Sequence, residues 1–258
     1  MNDRDQTTPR SRTYKYYDLI MVAFVTVMLC SNLVSAQKQA PLGPFAFGVG
    51  VIFFPITYIF GDILTEVYGY ARSRRVVWAG FAALAFAAVI SFVTVQMPPD
   101  PTWNMRTVPQ GFEEKFAEIP KELQWTNQRI WERVFGNTWR IVLGSLIGFL
   151  CGEFVNSYVM AKMKVWSRGR HLWMRTIGST IVGELVDSAI FLHIAFFGDP
   201  NWPYDRLLSV LALNYCFKVA NEVVMTPVTY WIVAKLKKAE NEDYYDTNTD
   251  FTPFSLKT

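Results

Sequence analysis

Charged residues are scarce in this chain of 258 residues: Lys, Arg, Asp and Glu make up 18% of it. A soluble domain would carry about 25%. Hydrophobic residues make up 51%, and several stretches contain almost no Lys or Arg. Each stretch is about 20 residues long, which as a helix crosses the ~30 Å hydrocarbon core of a bilayer. The composition therefore predicts an integral membrane protein.

Residues that build metal centres and disulfides are also few, with three Cys and two His in all. Cys30, Cys151 and Cys216 fall in apolar stretches without disulfide or zinc spacing, and they indicate small buried hydrophobic side chains. His171 and His193 belong to no metal-ligand cluster, so we expect neither a metal nor a cofactor. Basic residues form no single patch, which argues against a nucleic-acid partner.

Six apolar stretches predict an all-α protein of six transmembrane helices. Their approximate bounds are Tyr17–Ala36, Phe45–Val67, Val76–Gln96, Trp139–Ala161, Ile177–Phe197 and Leu207–Leu236. They divide the chain into an N-terminal segment (1–16), a membrane domain (17–238) with a long loop at about 97–137, and a C-terminal tail (239–258). Phe112, Phe116, Ile119 and Leu123 have helical spacing within the loop, which fits an interfacial helix as well as a plain connection.

Basic residues cluster at alternate ends of the predicted spans. They occur in the N-terminal segment and at 72–75, 162–175 and 235–238, whereas the alternate short loops carry only Lys38 and Arg206. Because Lys and Arg are enriched in cytoplasmic loops, both termini are predicted to be cytoplasmic, with the tail extended along that surface. An odd number of spans would destroy this pattern, so it supports six spans in a multi-pass protein of the bacterial inner membrane.

Polar side chains inside the spans are the main indication of function. They are Asp62, Glu66, Glu153, Asn156, Glu184, Asp187, Asn214, Lys218, Asn221 and Glu222. A charged group at the centre of a span costs ~2.5–3.5 kcal/mol, so the seven charged ones would cost on the order of 10–20 kcal/mol against lipid. They must face one another or a watered cavity, and we predict that they form the substrate-binding site of a small-molecule transporter.

At several positions a purely structural role is an alternative to substrate binding. Glu66 precedes three arginines, so a salt bridge at the inner interface explains it as well as a substrate contact does. Lys218 and Glu222 are four residues apart, and an intrahelical ion pair is their simplest interpretation. Glycines recur every four residues at 144, 148 and 152, which close helix packing explains.

A short motif recurs within the chain. Gly152–Ser157 reads GEFVNS, Gly183–Ser188 reads GELVDS, and Gly61–Glu66 offers the weaker GDILTE. Similarity between the second and fifth spans fits a 3+3 inverted repeat with a site at the membrane midplane. Similarity between the fourth and fifth spans does not fit that scheme, so the repeat and a chance similarity both stay open.

Several of the polar residues belong to longer motifs. These are Phe54-Pro55-Ile56-Thr57-Tyr58, Asp62, Thr65-Glu66-Val67-Tyr68-Gly69-Tyr70, Arg74-Arg75-Val76-Val77-Trp78, Gly152-Glu153, Asn156-Ser157, Arg175, Gly183-Glu184, Asp187-Ser188, Lys218 and Thr226-Pro227. In these motifs the chain resembles the queuosine-precursor transporters, a six-helix family also grouped as vitamin-uptake-like transporters. The resemblance covers roughly Tyr17 to Lys238, and the block at the second span is its most specific part.

The resemblance implies uptake of 7-deazaguanine bases into the cytoplasm, namely 7-cyano-7-deazaguanine and its 7-aminomethyl relative. The predicted site suits such a base, because a guanine-like edge offers two parallel N–H donors that one carboxylate accepts together. Aromatic residues such as Phe54, Tyr58, Phe154 and Phe217 are available to stack on the ring.

Two other functions compete with a self-sufficient transporter. The chain lacks a Gly-rich phosphate loop, so one alternative is the substrate-binding membrane subunit of an ATP-driven vitamin importer with an external ATPase partner. An intramembrane enzyme is the other, but it would need a nucleophile with a base or a metal site, and no Glu–His spacing of that kind occurs. The bilayer and the base are the predicted partners, and a homodimer stays open.

Overall fold

The computed structural model describes residues 13–35, 39–42, 45–48, 54–104, 126–136, 139–198, 200 and 203–255. In chain order these ranges form α1 (Tyr17–Ser35), the strands β1 (Gln39–Leu42) and β2 (Phe45–Gly48), α2 (Phe54–Ile63) with a π-helical turn (Leu64–Tyr68), α3 (Tyr70–Gln96), α4 (Asn127–Phe135), α5 (Trp139–Trp166), α6 (Leu172–Phe196) and α7 (Tyr204–Glu240). The described residues are thus mostly helical, as predicted, apart from one short hairpin.

Four helices within the described ranges are long and apolar enough to cross a membrane: α3, α5, α6 and α7. Helix α1 is apolar and has 19 residues. Helix α2 has 10 residues and its π-helical turn has five, so together they rise less than about 23 Å at ~1.5 Å per residue. That is short of the ~30 Å hydrocarbon core. The structure therefore supports a multi-pass helical membrane protein, while the count of six spans remains a prediction.

The predicted start of the second span at Phe45 is wrong. Residues 45–48 instead pair antiparallel with residues 39–42, with Leu42 opposite Phe45. Proline and glycine are frequent between residues 41 and 50, and both disfavour a helix interior. The described part of the helix begins at Phe54, so Pro55 falls in its first turn and needs no hydrogen-bond partner for its nitrogen.

Other helices continue beyond their predicted ends on the face of the protein where both described termini lie. Helix α3 begins at Tyr70 rather than Val76, and α6 begins at Leu172 rather than Ile177. Helix α5 continues to Trp166. Basic residues at 72–75, 162–164 and 175 therefore lie on helices rather than in loops. Hydropathy marks the end of the apolar stretch, whereas helical hydrogen bonding continues past it.

Helices α5 and α6 form the closest helix pair, and glycines allow the approach. A Cβ atom added at Gly152 would lie 2.7 Å from the Cβ atom of Asp187 and 3.1 Å from the carbonyl oxygen of Gly183. One added at Gly183 would lie 2.7 Å from Cβ of Asn156 and 3.0 Å from the carbonyl oxygen of Gly152. The recurring Gly-Glu motif thus marks a reciprocal crossing of neighbouring antiparallel helices, and the predicted role of the glycine series in packing is confirmed.

The loop between α3 and α4 is described only in part. The predicted amphipathic segment at 112–123 lies outside the described residues. Helix α4 is anchored to the end of α3, since Gln128 donates from its side chain to the carbonyl oxygen of Val95 at 3.2 Å. Its Trp131 ring packs edge-on against Trp103. Helix α4 therefore lies beside the end of α3 that is distant from the termini.

The last described residues, 241–255, form an irregular segment that we call the strap. It packs across the face where α3 and α6 begin and α5 and α7 end, which we call the tail face. Arg74 donates to the carbonyl oxygens of Asp250 and Thr252 at 2.8 and 2.6 Å. Trp78 donates to that of Pro253 at 2.8 Å. The strap is therefore part of the folded structure, with buried contacts.

Candidate functional site

A cavity of about 1070 Å³ runs from the middle of the helices toward the face opposite the tail face. At its mouth lie Leu33 at the end of α1, Gln96 at the end of α3 and Trp139 at the start of α5. At its inner end lie Glu153 and Glu184. Val134, Phe135 and Gly136, at the end of α4, also line it. The walls are largely apolar, so its polar groups are concentrated at the inner end.

Lys218 stands at the centre of these polar groups. Its ammonium group donates to Glu184 Oε2 at 2.6 Å and to Asp187 Oδ2 at 2.7 Å. These two carboxylates lie on α6, one turn apart, so α7 is joined to α6 by a three-membered ion cluster. The predicted intrahelical pair with Glu222 is therefore wrong. Four carbons let the lysine side chain span the gap between the helices, where two acceptors are available instead of one.

A second group of acids lies beside this cluster. Asn156 donates from Nδ2 to Asp62 Oδ1 at 3.3 Å, and Asp62 also interacts electrostatically with Glu222 and Glu153. Asp62 is fully buried and Glu222 is 1% exposed. Gly61 makes room for this group, since a Cβ atom there would lie 3.1 Å from Glu153 Oε2. Helices α2, α5 and α7 thus contribute acids to one buried region.

Glu153 Oε2 and Asn156 Oδ1 make no hydrogen bond to any described residue. The carboxyl groups of Asp62 and Glu222, by contrast, are within hydrogen-bonding reach of each other. Buried polar atoms are normally paired, and leaving one unpaired costs about 1–3 kcal/mol. Glu153 and Asn156 line the cavity. Unpaired acceptor oxygens therefore lie at the polar inner end of the cavity.

The predicted site residues divide into three sets. Those that line the cavity are Glu153, Asn156, Glu184, Asp187, Asn214 and Lys218. Asp62 and Glu222 lie behind the lining, in contact with it through Asn156 and Glu153, and Asn221 neighbours Glu222 on α7 without lining the cavity. The remaining residue, Glu66, lies in a separate cluster toward the tail face.

Glu66 is fully buried and is surrounded by cations. Arg175 binds it with two nitrogens, Nη2 to Oε1 at 2.8 Å and Nε to Oε2 at 3.2 Å. Lys237 donates to Oε1 at 2.6 Å, and Lys164 donates to the backbone oxygen of Glu66 at 2.6 Å. Asp243 of the strap completes the group, 2.5 Å from Lys164 and 2.7 Å from Lys237. We call these five residues the Glu66 cluster; the structural interpretation of Glu66 accounts for all of these contacts.

Asp243 is held ionised in this cluster. Burial raises the pKa of its carboxyl group, but hydrogen bonds and charge from Lys164 and Lys237 outweigh burial and leave that pKa below its ordinary value. The strap thus presents a negative charge to a group that is otherwise rich in positive charge.

Two residues of the site and of the Glu66 cluster were not predicted from the sequence, Asn32 and Lys164. Asn32 on α1 lines the cavity and accepts a hydrogen bond from Ser145 at 3.4 Å. The amide side chain of Asn32 inside an apolar span could have indicated its place in the site. Lys164 is buried, 1% exposed, but it stands in a basic run at the end of α5 that indicates an exposed helix end. Nothing in the sequence distinguishes it from its exposed neighbours.

Comparison with known proteins decides the family. A family model described as "Putative vitamin uptake transporter" matches residues 48–232, which is well over half of the chain. The chain belongs to this family. It is a membrane transporter and not an enzyme, and the resemblance drawn from the motifs is confirmed.

Two relatives carry more specific names. The "Probable queuosine precursor transporter" of Bacillus subtilis (strain 168) is 29% identical over 82% of this chain and 81% of its own length. The "Queuosine precursor transporter" of Escherichia coli (strain K12) is 22% identical over 88% of this chain and 90% of its own length. No solved structure matches the chain.

Proposed function

We propose that this transporter carries 7-deazaguanine precursors of queuosine, 7-cyano-7-deazaguanine and its 7-aminomethyl relative, into the cytoplasm of a bacterium. The names of the relatives support this substrate class. The observation that carries the proposal is the polar inner end of the cavity, where Glu153 and Asn156 each have an unpaired acceptor oxygen near Lys218 and its two carboxylates.

The donor and acceptor pattern there suits a guanine-like edge. N1–H and the exocyclic amine are two parallel donors, and the side chain of Glu153, which lines the cavity, has two oxygens that can accept them. The carbonyl oxygen beside N1 needs a donor, which Lys218 supplies after a small shift from one of its two carboxylates. Tyr58 places its ring 5.8 Å from the lysine ammonium and provides a surface for stacking.

Acidic side chains outnumber cationic ones at the inner end of the cavity, which should favour binding of the 7-aminomethyl base over the cyano base. Glu184 and Asp187 line the cavity as two carboxylates that share one lysine, Lys218, so a cationic ligand gains attraction that the neutral cyano base does not. Both bases share the same recognition edge, so the site accepts both.

Cells that cannot make the cyano base provide the test, with queuosine in tRNA as the measured product. Supplying the chain together with external base should restore queuosine, and omitting the chain should not. Glu153→Gln should abolish uptake, since the amide replaces an acceptor by a donor. Asp205→Asn, an exposed acid in the first turn of α7, is the matched control and should retain it. Full restoration by Glu153→Gln would remove this carboxylate from the proposed site.

The arrangement in the membrane belongs to the same proposal: six spans, both termini in the cytoplasm, and the inner membrane as location. Purified chain in liposomes tests the energy source. Uptake of the base by the chain alone would exclude an obligatory external ATPase, and strict dependence on an added ATPase would make the chain a substrate-binding subunit.

A further inference from the structure

Among the described residues, the lining of the cavity ends at Glu153, Asn156 and Glu184, and a layer of polar contacts lies between this inner end and the tail face. The hydroxyl groups of Thr65, Ser73 and Ser157 meet there, with separations of 3.0 and 3.2 Å from Thr65 and 3.0 Å between the two serines. All three side chains are buried. The π-helical turn, α3 and α5 are therefore in contact just below the cavity.

The Glu66 cluster forms the next layer toward the tail face. It joins the π-helical turn to α5, α6 and α7, because its cations Lys164, Arg175 and Lys237 come from those three helices. Three cations around one buried carboxylate leave an excess of two positive charges. Asp243 reduces that excess to one, and buried charge is costly unless it is paired. The closed arrangement of the four elements therefore depends on a carboxylate that the strap contributes.

The strap is shaped to fit this face. A Cβ atom added at Gly69, where φ is 85°, would clash with the Tyr244 ring. One added at Gly169, where φ is 75°, would clash with the Tyr245 hydroxyl group. Further along, Asp246 accepts two contacts from the backbone nitrogen of Tyr70, at 3.1 and 3.2 Å. Glycines at the start of α3 and in the α5–α6 loop thus provide the space that the two strap rings occupy.

We propose that the strap and the Glu66 cluster are the gate that closes the tail face while the cavity is open to the opposite face. The gate opens when Asp243 separates from Lys164 and Lys237, which raises the unbalanced charge of the cluster and lets α5 and α7 part from the π-helical turn. The proposal rests on transport by this chain and not on which base is carried.

Thiol labelling tests the gate without any substrate. Cys30, Cys151 and Cys216 are replaced by serine, and Ser157→Cys places one thiol between the cavity and the Glu66 cluster. A small charged methanethiosulfonate reagent is applied from the tail face of sealed membrane vesicles. Labelling should be slow with the strap intact and roughly 3- to 10-fold faster with Asp243→Asn, because two partly exposed ion pairs are lost. Deletion of residues 241–258 should accelerate it further.

Asp250→Asn is the matched control. Its carboxylate accepts from Thr252 within the strap and touches neither Lys164 nor Lys237, so the labelling rate should stay at that of the intact strap. Thermal unfolding in detergent shows whether each variant is folded, which separates gate opening from misfolding. If the deletion variant is unfolded, the labelling rate of Asp243→Asn alone tests the proposal. An unchanged labelling rate in folded Asp243→Asn would overturn the proposal. Substrate identity affects none of these outcomes.

Discussion

Single side chains in this protein acquire their roles from partners on other helices. Glu66 has Asp62 four residues before it, and Lys218 has Glu222 four residues after it. Both nevertheless form their ion pairs with residues of other helices. A long cationic side chain reaches a neighbouring helix easily, and a buried ion gains more from two partners than from one. The sequence could therefore identify which residues are buried and charged, but not which pairs they form.

Replacing Glu66 by Gln should strongly destabilise the protein. The substitution leaves Arg175 buried without its carboxylate partner and leaves Lys164 with Asp243 alone, and removing one partner of a buried ion pair costs about 3–5 kcal/mol. The measurement is thermal unfolding in detergent. Glu132→Gln, at an exposed position of α4, should leave the unfolding temperature unchanged. Equal unfolding temperatures for both variants would show that the Glu66 cluster contributes little to stability.

Lys218→Met should destabilise the protein because Glu184 and Asp187 would then face each other without a cation. Asp187→Asn in the same chain removes one of the two carboxylates and should restore part of the loss. A double-mutant cycle should give a coupling of roughly 1–3 kcal/mol, as residues in one network do. Additive effects of the two substitutions would contradict the three-membered cluster.

At the scale of elements, the apolar stretches predicted helices α3, α5, α6 and α7 well, and they misjudged α2. Each of these four helices contains an apolar stretch long enough to cross a membrane, and its hydropathy predicts that the helix exists but not where its hydrogen bonds end. Before α2, the apolar residues 45–48 look like part of a span, but nearby proline and glycine place them in a hairpin. Proline and glycine in a sequence can indicate that such a stretch is not helical, but they do not show at which residue the following helix begins. Hydrophobic periodicity cannot predict contacts between helices, such as the hydrogen bond from Asn156 to Asp62.

Gly152→Ala tests the close approach of α5 and α6. Alanine favours a helix over glycine by about 1 kcal/mol, but its Cβ atom would press on the Cβ atom of Asp187, and overpacking costs about 1–3 kcal/mol. We expect net destabilisation in thermal unfolding. Gly178→Ala on α6 is the control, since its Cβ atom would meet the flexible end of Met163 and the helix would gain stability. Stabilisation by both substitutions would contradict tight packing at the crossing.

For the molecule as a whole, one face carries an open cavity and the other carries ion pairs and a strap. Glu153 and Asn156 at the cavity have oxygens without a hydrogen-bond partner among the described residues, whereas the carboxylate of Glu66 is enclosed by cations. Residues only four positions apart, Asp62 and Glu66, therefore belong to different functional layers. The π-helical turn begins between them at Leu64, and such turns are frequent at functional sites. The proposed substrate site and the proposed gate would thus be connected through one short segment.

Acid should weaken the strap in a way that depends on Asp243. Its folded-state pKa is lowered, so its contribution to stability is present above the unfolded pKa of about 4 and is lost as the pH falls through the lower folded value. Hydrogen exchange of strap amides, corrected for the intrinsic rate, should therefore accelerate below about pH 4. Asp243→Asn should exchange faster already at neutral pH and show a smaller further rise, although its strap retains the bonds of Arg74 and Trp78. Identical pH profiles for the two proteins would mean that the strap is held by those distant bonds and not by the Glu66 cluster.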